Sequence, residues 1–279
     1  MRFDTLVFSG GGSRCFWQLG FWQALAPALT APPARLLGVS GGAVVACAAE
    51  AGVAERFLEH SCETFDANHA NFHTRELLRG RNPFPHPRLV TEGFAEVFDA
   101  PALARLHAGV PVHVLASVLP PRIPPLASSL AVQAAFVLEK EVGRVLHGTW
   151  GTRLGFTPFW RAAAECPTPE ALRELVLASS AIPPAFGVRR LDGLRLMDGG
   201  FVGNALIEFD GSDPGRMLVL VTRHDWPIPE DDGRRLYVRP SRPNPVGKLD
   251  ATSGARARAA YELGLRDGEA FLGGTLNCA

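Results

Sequence analysis

Leu36-Leu37-Gly38-Val39-Ser40-Gly41-Gly42-Ala43-Val44-Val45 decides how this chain is read. A short apolar run stops at a serine set among glycines, and the small-residue stretch from Ala43 to Ala54 that follows suits a tightly packed, buried helix. An earlier segment has the same design. Thr5-Leu6-Val7-Phe8 is an apolar run ended by Ser9-Gly10-Gly11-Gly12, after which Phe16, Leu19, Gly20 and Ala24 recur at helical spacing. Two successive strand-turn-helix units predict a three-layer α/β domain with a central, mostly parallel sheet wrapped by helices.

The rest of the chain extends that pattern. Val110 to Leu119 reads as a buried strand stopped by Pro120 and Pro121, and Leu126 to Leu146 as a helix with one long apolar side. Thr168-Pro169-Glu170 is a helix start: Thr caps, Pro fits the first turn where its missing N–H costs nothing, and Glu favours the positive end of the dipole. Asp192-Gly193 signals a hairpin between Val188 to Leu191 and Leu194 to Met197, which delivers the chain to Asp198-Gly199-Gly200. Met217 to Thr222 and Tyr237 to Pro240 read as strands and Ala255 to Phe271 as a closing helix. From His69 to Arg88, four Arg mix with Phe72, Phe84 and three Pro, which reads as a surface excursion, and Trp150, Phe156, Phe159 and Trp160 are placed in a Gly-rich loop. With no internal repeat or low-complexity linker, residues 1–279 are taken as one domain.

Composition excludes several classes of function. The 28 Lys+Arg balance 28 Asp+Glu, so no basic field supports nucleic-acid binding, and 47% apolar against 20% charged residues is ample for a core. Five Cys, at 15, 47, 62, 166 and 278, form no CxxC pair and leave one over in any disulfide scheme, which points to a reducing, cytoplasmic setting. The uncharged windows Leu36 to Ala49 and Ile123 to Leu138 fall short of the roughly 20 residues of a membrane span, so any membrane contact is expected to be peripheral. No acidic cluster resembles an oxygen-ligand loop, and neither metal nor cofactor is expected.

Three glycine-flanked sites carry the chemistry. Gly38-Val39-Ser40-Gly41-Gly42 satisfies GxSxG at a strand-to-helix junction, where a sharp turn projects the hydroxyl and aims the next N–H into the same space. On the pentapeptide alone, a nucleophile and an ordinary glycine turn stand level. Gly10-Gly11-Gly12-Ser13-Arg14 leaves backbone N–H groups unobstructed for a phosphate or an oxyanion. A dinucleotide fingerprint fails because Cys15 stands where its third glycine belongs, and a Walker loop fails because no Lys-Ser or Lys-Thr follows. Asp198-Gly199-Gly200 supplies a carboxylate at a further strand end, so that anion loop, serine and acid follow one another in order.

In that order and spacing the chain resembles the patatin-like phospholipases, which share a Gly-rich oxyanion loop followed by Arg, a GxSxG serine and a late Asp-Gly-Gly. Val112 to Ser117 looks like that family's central strand, Ala178 to Pro183 is similar to its approach to the last motif, and Tyr261 to Gly264 resembles its C-terminal helix. Ser9 and Cys15 depart from the family pattern, which often has Asp or Gly at the first position and usually Gly at the second. The resemblance implies a lipid acyl hydrolase with Ser40 and Asp198 as a catalytic dyad, and an oxyanion hole drawn from Gly10, Gly11, Gly12, Arg14 and Gly41. Lipid esters are the implied substrates. An acyltransferase using the same acyl-enzyme and a silent lipid-binding or scaffold module are the alternatives. Among eight His, His224, just after a strand, is the rival base of a triad, whereas His113 alternates with Val112 and Val114 as a core residue.

Overall fold

The first strand, β1 (Thr5–Phe8), lies between two parallel neighbours, β2 (Arg35–Val39) and β7 (Met217–Leu220), so its Thr-Leu-Val-Phe sequence is buried at every position. The computed structural model describes residues 1–121, 150–203 and 215–276. The expected helix from Leu126 to Leu146 lies outside these residues. The helices are α1 (Phe16–Leu25), α2 (Gly41–Glu50), α3 (Ala54–Ala67), α4 (Thr74–Leu78), α5 (His86–Val97), α6 (Ala100–Ala108), α7 (Trp150–Arg153), α8 (Pro169–Ser179) and α9 (Gly254–Leu272). The other strands are β3 (Val112–Val118), β4 (Thr157–Ala162), β5 (Arg189–Leu191), β6 (Leu194–Asp198) and β8 (Arg235–Val238). Neighbours in the sheet run β5-β6-β3-β2-β1-β7-β8, with β4 paired to β3.

The strands from β3 through β8 along this order are parallel, whereas β4 and β6 both run antiparallel to β3. The registers on β3 place the site. Leu36 to Val39 of β2 face Val112 to Leu115, β6 faces Ala116 to Val118, and β4 faces His113 to Val118, overlapping both. A strand has two hydrogen-bonding edges. β4 therefore occupies one edge, and β2 and β6 share the other, end to end. β2 arrives at Val39 opposite Leu115, and β6 arrives from the opposite direction at Asp198 opposite Ala116.

Alternation along the strands divides the core. Leu6, Phe8, Leu36, Leu218 and Leu220 pack with α1 and α2 on one face, while Val7, Leu37, Val39, Val219 and Tyr237 pack with Trp226 on the other. Trp17 on α1 donates its indole N–H to buried Asp267 on α9 at 2.7 Å. This sheet of mostly parallel strands flanked by helices is the architecture the sequence predicts. The two local signals also hold: Thr168 Oγ1 accepts the Ala171 N–H at 3.2 Å, and Asp192 and Gly193 take φ of 51° and 75°, the positive pair that a two-residue hairpin turn requires.

The expected loop holding Phe159 and Trp160 is instead β4. Pro158 disguises it, and Pro is tolerated there because β4 pairs on one side only among the described residues. The His69 to Arg88 excursion contains α4 and the start of α5. No described helix is long and apolar enough to cross a membrane.

Candidate functional site

Ser40 forms the turn from β2 into α2 with φ 55° and ψ −131°. Non-glycine residues rarely adopt a positive φ, and such a conformation costs roughly 1–3 kcal/mol that its surroundings must offset. The Ser40 N–H donates to Ser179 Oγ at 2.8 Å, and that hydroxyl donates to the Leu115 carbonyl at 2.6 Å, so α8 pins the turn to β3. Ala43 N–H donates to Ser40 O at 2.9 Å, which starts α2 at once and sets the positive end of its dipole beside the serine.

The glycine loop after β1 is pressed against this turn. A Cβ on Gly41 would lie 2.7 Å from Gly12 O, 3.0 Å from Gly12 N and 3.1 Å from Cys15 Sγ, so a side chain at 41 would force loop and turn apart. Gly12 has φ +58°, and a Cβ there would collide with Lys248 O. That same carbonyl accepts the Ser13 N–H at 3.0 Å, while the Arg14 N–H is used by Gly11 O at 3.3 Å. The Ser13 and Arg14 N–H groups are thus both engaged within the fold, and Arg14 contributes positive charge near Cys15. Thr222 Oγ1 donates to Gly10 O at 3.4 Å and steadies the loop from the end of β7. Cys15, where family members usually have Gly, directs its thiol at Ser9 O at 3.6 Å. Burial above all, reinforced by the Asp198 charge and opposed by Arg14 and Lys248, pushes this thiol far up, so it stays protonated and is no rival nucleophile.

Asp198 enters from the other direction and is 3% exposed, against 8% for Ser40, so both sit shielded from water. Its Oδ1 accepts the Gly200 N–H at 2.7 Å, its N–H donates to Ala181 O at 3.0 Å, and its carbonyl accepts from Ser117 Oγ at 2.8 Å. A Cβ on Gly199 would lie 2.7 Å from Val39 Cγ2, so the turn after Asp198 packs directly on the residue before Ser40. The serine, the acid and the glycine loop meet where β1, β2 and β6 end. His224 follows β7, which β1 separates from β2, beside an Asp225 that its hydrogen bond to Arg223 holds down at about 2. His113 is the second residue of β3 and is half-buried.

Ser40, Gly41 and Gly12 open onto a cleft of about 360 Å³, with walls dominated by apolar side chains such as Phe16, Val44, Leu89, Phe94 and Phe186. Of the aromatic residues on α1, Phe16 lines this cleft, whereas Trp17 and Phe21 are core. Lys248, one of two lysines in the chain, stands at the serine end. Buried His86 lines the cleft and donates Nε2–H to Leu249 O at 2.9 Å, and burial lowers its pKa and favours the neutral ring. Sequence reading missed Ser179, Thr222, Lys248 and His86. Only Ser179 left a trace, inside the stretch Ala178 to Pro183. Among the described residues no group of three or more His, Cys, Asp and Glu is placed to hold a metal ion.

A family-wide sequence profile described as patatin-like phospholipase matches residues 6–209, and the chain belongs to that family. Membership supports lipid acyl hydrolysis as the general activity. Among solved structures, VipD from Legionella pneumophila is similar with a TM-score of 0.49 at 14% identity, covering 99% of this chain and 67% of that one. No curated protein matches the chain by sequence.

Proposed function

We propose that the protein hydrolyses carboxylic esters of lipids through an acyl-enzyme on Ser40, with Asp198 as the base. The observation that carries this reading is the end-to-end meeting of β2 and β6 on one edge of β3, which brings Val39 and Asp198 to successive positions, Leu115 and Ala116. As Ser40 Oγ attacks the ester carbonyl, its proton passes to the Asp198 carboxylate, and the carbonyl oxygen takes up negative charge. N–H groups of Gly10, Gly11, Gly12 and Gly41, with the Arg14 charge behind them, stabilise that oxygen. The proton then goes to the departing alcohol. Water, deprotonated by the same carboxylate, releases the fatty acid and restores Ser40. The Gly200 N–H on Oδ1 orients the carboxylate, and the apolar cleft beside Ser40 receives the acyl chain. The reading places the protein as a water-soluble enzyme that meets membranes peripherally.

A fluorophosphonate probe should label the wild type and not Ser40→Ala. Asp198→Asn keeps the shape and loses the proton acceptor, so kcat on a lipid ester should fall by about 10² to 10⁴-fold. His224→Ala should stay near wild type. With Asp198 alone as base, activity persists well below pH 6.5, where an imidazole base would be lost. An inactive His224→Ala beside a fully active Asp198→Asn would reverse the assignment, and an unreactive wild type would favour a silent lipid-binding module.

A further inference from the structure

The excursion between α3 and α5 ends in an exposed apolar tip. Phe72, Leu77 and Leu78 are 44%, 54% and 87% exposed, and the last two close the five-residue helix α4. Scattered apolar residues on a surface need no explanation, but two adjacent leucines on one tip, with Phe72 exposed at its base, do. Arginines surround them. Arg75, Arg79 and Arg81 are all exposed; Glu76, the acidic residue among them, is paired to Arg79 at 2.9 Å and to Arg81 at 3.5 Å. In a chain whose formal charges cancel, residues 72–82 carry three Arg and one Glu, a local excess of positive charge.

The base of the excursion is fastened to residues that line the cleft. On one side Asn82 Nδ2 donates to Ala185 O at 2.8 Å, and Phe72 meets Phe84 edge to face at 5.3 Å, with Phe84 packed against Ala185 and Phe186. On the other, Asn68 Nδ2 donates to Ala251 O at 2.6 Å and Asn71 Oδ1 accepts the Ala251 N–H at 2.9 Å. Ala185, Phe186 and Ala251 all line the cleft. The tip is therefore held beside the cleft that opens on Ser40.

We propose that this tip docks the protein on an anionic lipid bilayer: Leu77, Leu78 and Phe72 enter the interface while Arg75, Arg79 and Arg81 meet acidic headgroups. Apolar burial and attraction to acidic lipids together give peripheral attachment that neither supplies alone. The net positive charge around an apolar tip argues for a negatively charged, apolar-cored partner over a second copy of a chain whose net charge is zero. The fastening to the cleft walls means that docking would deliver an acyl chain to the cleft mouth. This last step rests on the reading of the cleft as an acyl site; the docking itself does not.

Binding is measured by co-sedimentation of Ser40→Ala protein, which cannot consume the vesicles, with vesicles of phosphatidylcholine alone or containing a minority of phosphatidylglycerol. The expected result is preference for the mixed vesicles, weakened by salt. Adding Leu77→Ser and Leu78→Ser should cut binding by about tenfold or more at an unchanged melting temperature. Replacing Arg75, Arg79 and Arg81 with Gln should abolish the preference for phosphatidylglycerol. Equal binding by the serine variant, no binding to either vesicle, or a dimer in light scattering that those serines dissolve would each overturn the proposal. Fluorophosphonate labelling of the wild type, read in parallel, separates the two ideas: labelling without vesicle binding removes the docking surface, and vesicle binding without labelling removes the hydrolase.

Discussion

Ser179 is fully buried and spends its hydroxyl twice, accepting from the Ser40 N–H and donating to Leu115 O. Ser179→Ala removes both bonds and strands two buried backbone groups, at a cost of about 1–3 kcal/mol. It also loosens the residue whose φ of 55° is most in need of support. Urea unfolding should report the lost stability, and kcat on a lipid ester should fall while KM changes little, because the cleft walls are untouched. A variant that is destabilised yet keeps wild-type kcat would show that Ser179 braces the fold without setting the serine turn. The catalytic candidates themselves were legible because their requirements are local: glycines beside a serine, glycines after a strand, an acid before two glycines. Ser179 was not, because its partner lies 139 positions away and a buried serine in a helix has no pattern of its own.

Between elements, the crossing of α1 and α9 has a similar hidden requirement. A Cβ on Gly20 would collide with Tyr261 O, and one on Gly264 with Trp17 O, so each helix meets the other's backbone through a glycine. In an exposed helix, Gly→Ala gains up to about 1 kcal/mol from propensity. At position 20 the added methyl must push the helices apart and strain the Trp17 to Asp267 hydrogen bond, so Gly20→Ala should destabilise by about 1–3 kcal/mol. A lower urea midpoint checks the sign, and a raised one would mean the two backbones do not touch. Strong periodicity made β1, β2, β3, β7 and both these helices readable. It failed for β4, where Thr157-Pro158-Phe159-Trp160-Arg161-Ala162 combines a proline with half-exposed aromatics, the strand being paired on one side only among the described residues. It also failed to give the direction of β6: the sequence puts Asp198 at a strand end, but only pairing shows that this strand comes down onto Ser40 from the opposite side.

For the whole molecule the question is what the segment beyond residue 209, where the family match stops, contributes. It supplies β7, which covers the second edge of β1, and β8, which covers β7. It supplies Thr222 and Lys248, which hold Gly10 and Ser13 of the glycine loop, and α9, which covers α1. Ala251 completes a wall of the cleft. Without these parts β1 would expose an unpaired edge and α1 its Trp17 and Phe21 face, a loss of the same order as the roughly 5–15 kcal/mol by which domains are stable. A chain ending at residue 209 should therefore show no cooperative melting transition and no fluorophosphonate labelling, although it retains Ser40, Asp198 and every glycine of the motifs. The full chain should melt in one transition with calorimetric and van't Hoff enthalpies equal, the behaviour of one cooperative unit. A truncated chain that still melts cooperatively and reacts would show that the matched segment folds by itself, and that the loop's anchorage on Lys248 and Thr222 is dispensable for the serine's reactivity.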